Sequence, residues 1–316
     1  MARNIRILAL LLAAQMGLAL VLLGSGPSLQ AVNPNTPLLN LGEGELDELL
    51  IEGDDHSQLL LKKQDGLWRL PDHHNYPAEQ GDVTALLSQL KSLSHGTPMA
   101  TSDAALERFK VADTHFNRRI TLKRQQQVVA VLYLGSGQGA RNSAAHVEGQ
   151  PGIFNVAIAL HQVPQTAKAW QDKTLLQIPA GEIMQIATHG LTLQRQPVDK
   201  EDKAAKPSWQ ATGLQAGETV NSTAVESLST KLATLRIEEL LGVTDQPAYG
   251  LDKPVWQATL TRQGQPPLIY QLGHQSEPNS YTLKRSDRPE YFKLPTYLAE
   301  SLIEAGKRDS LLNKAP

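Results

Sequence analysis

Leu59-Leu60-Leu61-Lys62-Lys63-Gln64 and Trp68-Arg69-Leu70 are short apolar-rich runs separated by a polar turn, the pattern of a β-hairpin. Val83, Leu86, Leu87, Leu90 and Leu93 follow at helical spacing and predict one helix with a single buried stripe. A second hairpin is written by Ile120-Thr121-Leu122 and Val129-Ala130-Val131-Leu132-Tyr133-Leu134-Gly135, where alternation is clearest. The series then returns. Leu191-Thr192-Leu193-Gln194-Arg195-Gln196 leads to Trp209-Gln210-Ala211, a helical stripe runs through Val225, Leu228, Leu232 and Leu235, and Ala258-Thr259-Leu260 precedes Leu268-Ile269-Tyr270-Gln271-Leu272-Gly273. Asp82 and Thr223 stand near the predicted helix starts, where their oxygens are expected to accept from free amides.

Weaker landmarks keep the same order. Glu107-Arg108-Phe109 with Asp113 corresponds to Ala248-Tyr249-Gly250-Leu251-Asp252, Ile153-Phe154-Asn155-Val156 to Tyr291-Phe292-Lys293-Leu294, and Asp172-Lys173-Thr174-Leu175-Leu176 to Arg308-Asp309-Ser310-Leu311-Leu312. Leu46, Leu49 and Ile51 correspond to Ile183, Ile186 and Thr188. The charged run Asp199–Lys206 reads as a solvated insertion in the second copy. The expected fold class is α+β, with two tandem repeated modules, 44–177 and 178–316, each a mostly antiparallel sheet with a packing helix.

Before the modules, an apolar run from Ile7 through Leu23 follows Arg3 and Arg6. It approaches the roughly 20 residues that cross a bilayer, so residues 1–25 read as a membrane anchor with a cytoplasmic N-terminus. A cleaved signal peptide is the alternative, disfavoured by the run's length and by Leu29 in Leu29-Gln30-Ala31 where processing wants a small residue. Ala9, Ala13 and Gly17 would form a close-packing face if the anchor met another helix. Residues 26–43, with Pro27, Pro34 and Pro37, read as an extended spacer.

Composition narrows the functional classes. Thirty Lys plus Arg against 32 Asp plus Glu give a net charge of -2 with no long basic stretch, which argues against nucleic acid as a partner. The absence of cysteine removes disulfides, thiolate nucleophiles and iron–sulfur ligation, and with them lipoprotein acylation. His73 and His74 beside Asp72, with His95, His115, His146 and His161 elsewhere, have none of the usual metal-ligand spacings. Gly135-Ser136-Gly137-Gln138-Gly139-Ala140 fits a dinucleotide loop loosely, but Arg141-Asn142-Ser143 leads toward the strand-like His146-Val147-Glu148 and not into a helix. Ser136 lacks a nucleophile-elbow motif. The carboxylate pairs Asp54-Asp55, Glu201-Asp202 and Glu238-Glu239 sit in polar settings, and Trp68, Trp209 and Trp256 read as sheet core. No catalytic, cofactor-binding or metal-ligating residue is assigned.

Trp68 with Pro77-Ala78, Phe109 with Val111-Ala112-Asp113, Tyr133-Leu134-Gly135, Trp170 with Asp172–Leu176, and Tyr249-Gly250-Leu251-Asp252 with Pro254 carry a family resemblance. On these landmarks the chain resembles a family of bacterial domains of unknown function found with gliding-motility-type (Gld) ABC transporters as an auxiliary component. The first copy departs by writing Phe109-Lys110-Val111-Ala112-Asp113 for the Tyr-Gly-Leu-Asp form. The resemblance implies an anchor in the bacterial inner membrane, a periplasmic body, and an ABC permease and ATPase as partners. The expected function is a non-enzymatic accessory or scaffold subunit of such a complex. A ligand-binding protein using an inter-module groove for a lipid, glycan or peptide is the alternative, followed by a hydrolase built on Ser136 or the His73 and His74 region.

Overall fold

The computed structural model describes residues 15–16, 36–137, 139–197, 208–275 and 278–314, with nothing described of the side chain of residue 314. Two eight-stranded sheets dominate it, and every pairing in them is antiparallel. The first is built from β1 (Glu48–Gly53), β2 (Gln58–Gln64), β3 (Leu67–Leu70), β4 (Tyr76–Pro77), β5 (Arg118–Arg124), β6 (Gln127–Gly135), β7 (Ser143–Val147) and β8 (Phe154–Val156), in the spatial order β8-β7-β6-β5-β1-β2-β3-β4. The second is built from β9 (Ile183–Thr188), β10 (Leu191–Arg195), β11 (Trp209–Thr212), β12 (Glu239–Gly242), β13 (Trp256–Arg262), β14 (Gln265–Gln275), β15 (Ser280–Arg285) and β16 (Tyr291–Leu294), ordered β11-β10-β9-β13-β14-β15-β16-β12. Read from β16 to β11, the second sheet repeats the order of seven strands running from β8 to β3 in the first.

Register makes the correspondence residue-specific. Leu61, Leu49, Leu122 and Ala130 form one cross-strand row. Leu193, Ile186, Leu260 and Leu268 form its counterpart. Period-two side-chain direction sends each row to one face, where a helix covers it. In the first lobe that helix is α1 (Gln80–Ser92), which buries Val83, Leu86 and Leu90. In the second it is α4 (Ser222–Ala233), which buries Val225, Leu228 and Leu232 and packs beside α5 (Thr296–Gly306). The short helices α2 (Asp103–Phe109), α3 (Ala167–Trp170) and α6 (Arg308–Leu311) complete the set. Near α2, Ala105, Val111, Tyr133, Ala144 and Ile153 form a small separate core.

Several expectations are corrected. Asp82 lies inside the first turn of α1, whose N-cap is Glu79, and Thr223 lies inside α4, where Asn221 Oδ1 accepts from the Ala224 amide at 3.1 Å. Residues 36–43, read as spacer, belong to the first lobe: Leu38, Leu39 and Leu41 are buried, and Thr36–Pro37 pairs with Ser94–His95. Their local apolar density outweighs the spacer signature of the prolines. The expected anchor over 1–25 lies outside the described residues apart from Gln15 and Met16, as does the insertion at 199–206. No helix among the described residues is long and apolar enough to cross a membrane.

Candidate functional site

The two sheets meet where a linker, 171–178, is hydrogen-bonded on both sides. Toward the first lobe, Asp172 N donates to Pro77 O at 3.0 Å and the Tyr76 hydroxyl to Asp172 O at 2.9 Å. Toward the second, Ile178 N donates to Ala233 O at 3.0 Å, Ile237 N to Lys173 O at 3.1 Å, and Leu240 N to the Gln171 side chain at 2.9 Å. The Tyr76 ring crosses between lobes to meet Phe292 edge-on with centroids 6.3 Å apart. Burial pushes the Tyr76 hydroxyl well above the usual phenol range, so it stays a neutral donor.

Arg285 secures the linker from the second lobe. It is 4% exposed, its guanidinium is paired with Asp287, and Nη1 donates to Leu176 O at 2.8 Å. An arginine is placed there because β15 alternates Tyr281, Leu283 and Arg285 onto the core side. At the rim of the junction, Lys168 on α3 meets Glu238 at 2.6 Å, and Lys293 meets the same carboxylate at 3.2 Å. The hydrogen bond from Lys168 holds the Glu238 carboxyl below its ordinary range and holds the Lys168 ammonium above its own.

Beside the linker opens a groove of about 570 Å³ whose walls come from both lobes: Arg69, His74 and Gln80 from the first, Asp172 from the linker, Arg288 and Glu290 from the second. Positive φ angles of 58° at His74 and 54° at Asn75 turn the chain tightly into β4 and leave the His74 ring exposed. Arg69 Nη1 donates to Asn75 O at 3.2 Å, and Arg288 Nη1 approaches Glu290 Oε1 at 3.5 Å. Among the described residues, Arg288 Nε and Glu290 Oε2 are buried without hydrogen-bond partners. Lys284 Nζ donates to the carbonyls of Arg288 and Pro289, both at 2.7 Å, and stands 4.2 Å from the centre of the Tyr291 ring. Its ammonium is pulled below the ordinary lysine range by burial. This arrangement offers paired donors and acceptors for polar recognition.

The other residues weighed from sequence are scattered. His73 is half-buried in the turn and does not line the groove. Ser136 donates its amide to Phe109 O at 2.9 Å, and among the described residues its hydroxyl is hydrogen-bonded to no histidine or carboxylate. Gln138 of that loop and the Glu201-Asp202 pair lie outside the described residues. Asp54 and Asp55 are exposed, and hydrogen bonds from Ser57 hold Asp55 below the usual carboxylate range. Glu238 and Glu239 are committed to Lys168 and Lys293. Trp68, Trp209 and Trp256 are all buried. Among the described residues no group of three histidines or carboxylates is placed to hold a metal ion. Sequence reasoning missed Tyr76, Gln171, Arg285 and Arg288, although an arginine on the core phase of β15 is a signal that period-two reading can find.

No curated protein and no solved structure matches the chain. A family model described as Domain of unknown function (DUF4340) matches residues 68–254, from Trp68 in β3 of the first sheet to the Pro254 that precedes β13 of the second. That match covers more than half of the 316 residues and spans the junction between the sheets, and the chain therefore belongs to the DUF4340 family.

Proposed function

We propose that this protein is a non-enzymatic accessory or scaffold subunit of an ABC-type transporter of the gliding-motility type, held in the bacterial inner membrane by residues 1–25 with its body in the periplasm. The observation that carries the reading is the linker bonded on both sides, from Asp172 N on Pro77 O to Arg285 on Leu176 O, which makes one body of two lobes. A subunit that holds partners at fixed separation needs such a body, and the duplication of one module supplies two related surfaces. The positive-inside pattern at Arg3 and Arg6 and the resemblance in Tyr249-Gly250-Leu251-Asp252 supply the membrane and transporter parts. The test is crosslinking of the tagged full-length protein in intact native cells. Enrichment of an ABC permease and ATPase is the expected result. Recovery of the protein alone, under crosslinking shown to work, overturns the reading.

A second reading is favoured by one observation, that Arg288 Nε and Glu290 Oε2 at the inter-lobe groove have no hydrogen-bond partner among the described residues: the protein captures a small polar ligand there. Native mass spectrometry of the purified full chain is expected to show a retained mass that Arg288→Met abolishes, and an unladen chain removes this reading.

A further inference from the structure

The seven-strand correspondence pairs Lys63 with Arg195 and Trp68 with Trp209, through the registers Lys63 opposite Trp68 and Arg195 opposite Trp209. It also pairs α1 with α4, because the Trp68 amide donates to the Gln80 side chain at 2.8 Å and the Trp209 amide to the Ser222 side chain at 3.3 Å. Thr84 then corresponds to Glu226 and Leu87 to Ser229.

In the second lobe this place is filled from within. Trp209 Nε1 donates to Glu226 Oε2 at 2.9 Å, Arg195 Nη2 donates to Glu226 Oε1 at 3.0 Å and to Ser229 Oγ at 3.2 Å, and the guanidinium lies 4.9 Å from the centre of the Trp209 ring. In the first lobe the tryptophan is kept and each of its three partners has changed. Lys63 turns away to Glu45 at 2.7 Å, Thr84 is exposed, and Leu87 puts half-buried hydrocarbon where Ser229 accepts a hydrogen bond. The Trp68 indole N–H has no hydrogen-bond acceptor among the described residues, whereas those of Trp170 and Trp209 are satisfied.

The result is an open groove of about 370 Å³ with Leu41, Leu46, Trp68 and Leu87 as apolar walls, continuous through Leu41, Gly42 and Lys91 with a second hollow that reaches Pro37. Its outer wall is built: Arg124 Nη2 donates to Leu41 O at 2.7 Å and to Gly44 O at 3.1 Å, fixing the loop. Glu45 is neutralised by Lys63, so the rim charge left over is Lys91, which forms no ion pair among the described residues. Apolar walls, one free cation and one free indole donor complement an acyl chain ending in a phosphate. The groove also lies where the chain leaves toward its apolar run, since Pro37 is a wall residue and the stretch back to Leu23 reaches at most about 3.5 Å per residue.

We propose that the groove between α1 and the 37–46 loop of the first lobe binds an anionic membrane phospholipid, with its acyl chain against Leu41, Leu46 and Leu87 and its phosphate on Lys91 Nζ and Trp68 Nε1. The lipid source rests on the proposed reading of residues 1–25 as the anchor. The second lobe is the built-in control, because the same place there is closed by Arg195, Glu226 and Ser229.

The test uses delipidated full-length protein in a neutral detergent, titrated with phosphatidylglycerol or phosphatidylcholine and followed by native mass spectrometry. A parallel sample receives a phosphatidylglycerol bearing a diazirine in its acyl chain. One adduct favouring phosphatidylglycerol, with crosslinks in the peptides spanning 37–46 and 80–92, is expected. The triple substitution Lys63→Arg, Thr84→Glu and Leu87→Ser installs the second lobe's closure and should lower occupancy at least about tenfold. Lys91→Glu should do the same without touching the core, and Val128→Glu, an exposed apolar position outside the groove, should leave the adduct unchanged. Absence of an adduct, equal uptake of phosphatidylcholine, crosslinks confined to other peptides, or an adduct that survives Lys91→Glu would each overturn the proposal. None of these readouts involves a permease or ATPase, so failure here is distinct from failure of the scaffold reading.

Discussion

Lys110 and Gly250 occupy corresponding corners of the two lobes in the same left-handed conformation, with φ of 55° and 65°. Each follows an aromatic residue, Phe109 or Tyr249, whose carbonyl presses on Gly135 or Gly273 so closely that neither glycine has room for a Cβ. The departure of the first copy from the Tyr-Gly-Leu-Asp form therefore changes the side chain and keeps the backbone. The difference in tolerance comes from the next strand. β14 runs on through His274, whose carbonyl would lie 2.6 Å from a Cβ on Gly250, whereas β6 ends at Gly135. Lys110→Gly is expected to stabilise the protein by about 1 kcal/mol through relief of left-handed strain. Gly250→Ala should cost about 1–3 kcal/mol from overpacking. Urea unfolding of both variants reads the opposite signs, and two changes of the same sign would show the corners to be unrelated.

Gly306 closes α5 directly over the Trp256 indole, where an added methyl would collide with Nε1. That nitrogen is buried without an acceptor among the described residues, so contact with the glycine backbone is what seals it. Gly306→Ala should therefore be destabilising by about 1–3 kcal/mol, although alanine is the better helix former by roughly 1 kcal/mol at an unstrained site. A thermal melt that rises on substitution would mean the helix end moves away without loss.

The parts of this fold that were legible in the sequence are those where period alone decides. The row Leu61, Leu49, Leu122 and Ala130 and its counterpart are apolar at every second residue, so strands, faces and their recurrence follow from local pattern. The helix caps are less legible, because Asp82 and Thr223 are cap-type residues lying close after the observed caps Glu79 and Asn221, and the choice depends on where the chain leaves β4 or the strand Glu218–Val220. Leu38 and Leu39 were hidden among prolines. The junction was harder still. Tyr76 and Gln171 carry ordinary strand and loop signatures, and their role arises only when residues distant in sequence, such as Phe292 and Leu240, are brought against them. The open and closed versions of the Trp68 and Trp209 sites likewise need the helix register, which no single segment contains.

Arg285, itself 4% exposed, joins the exposed Asp287 to the carbonyl of buried Leu176, so its removal strands that linker carbonyl while Asp287 keeps its access to solvent. Arg285→Met, which keeps the hydrocarbon stem, is expected to cost about 2–3 kcal/mol, because bonds to charged groups contribute more than neutral ones. Hydrogen exchange should show protection lost first at Ile178 and Ile237, whose amides bind across the linker. Uniform loss across both sheets would place the residue in general stability and not in the junction.

The Lys168 and Glu238 contact gives the junction a pH dependence whose sign can be worked out. Hydrogen bonding from Lys168 lowers the Glu238 pKa in the folded state below the 4.5 of a free glutamate, so the unfolded chain binds its proton first as the solution is acidified. The stabilisation is present in full above about pH 4.5 and disappears as pH falls through the lowered folded value. Lys168 acts at the other end: its folded pKa is raised, so its share persists below 10.5 and is lost only as pH climbs through the raised value. Lys293 also contacts Glu238, and Lys168 also contacts Glu239, so removing Glu238 flattens the acid limb without abolishing every charge contact. The expected outcome is that Glu238→Gln lowers the melting temperature at neutral pH, while the gap from the parent protein holds down to about pH 5 and narrows progressively from there to about pH 3. A gap that stays constant over that range would place the effect of the substitution in packing and remove the carboxylate from the account of how the two sheets are held.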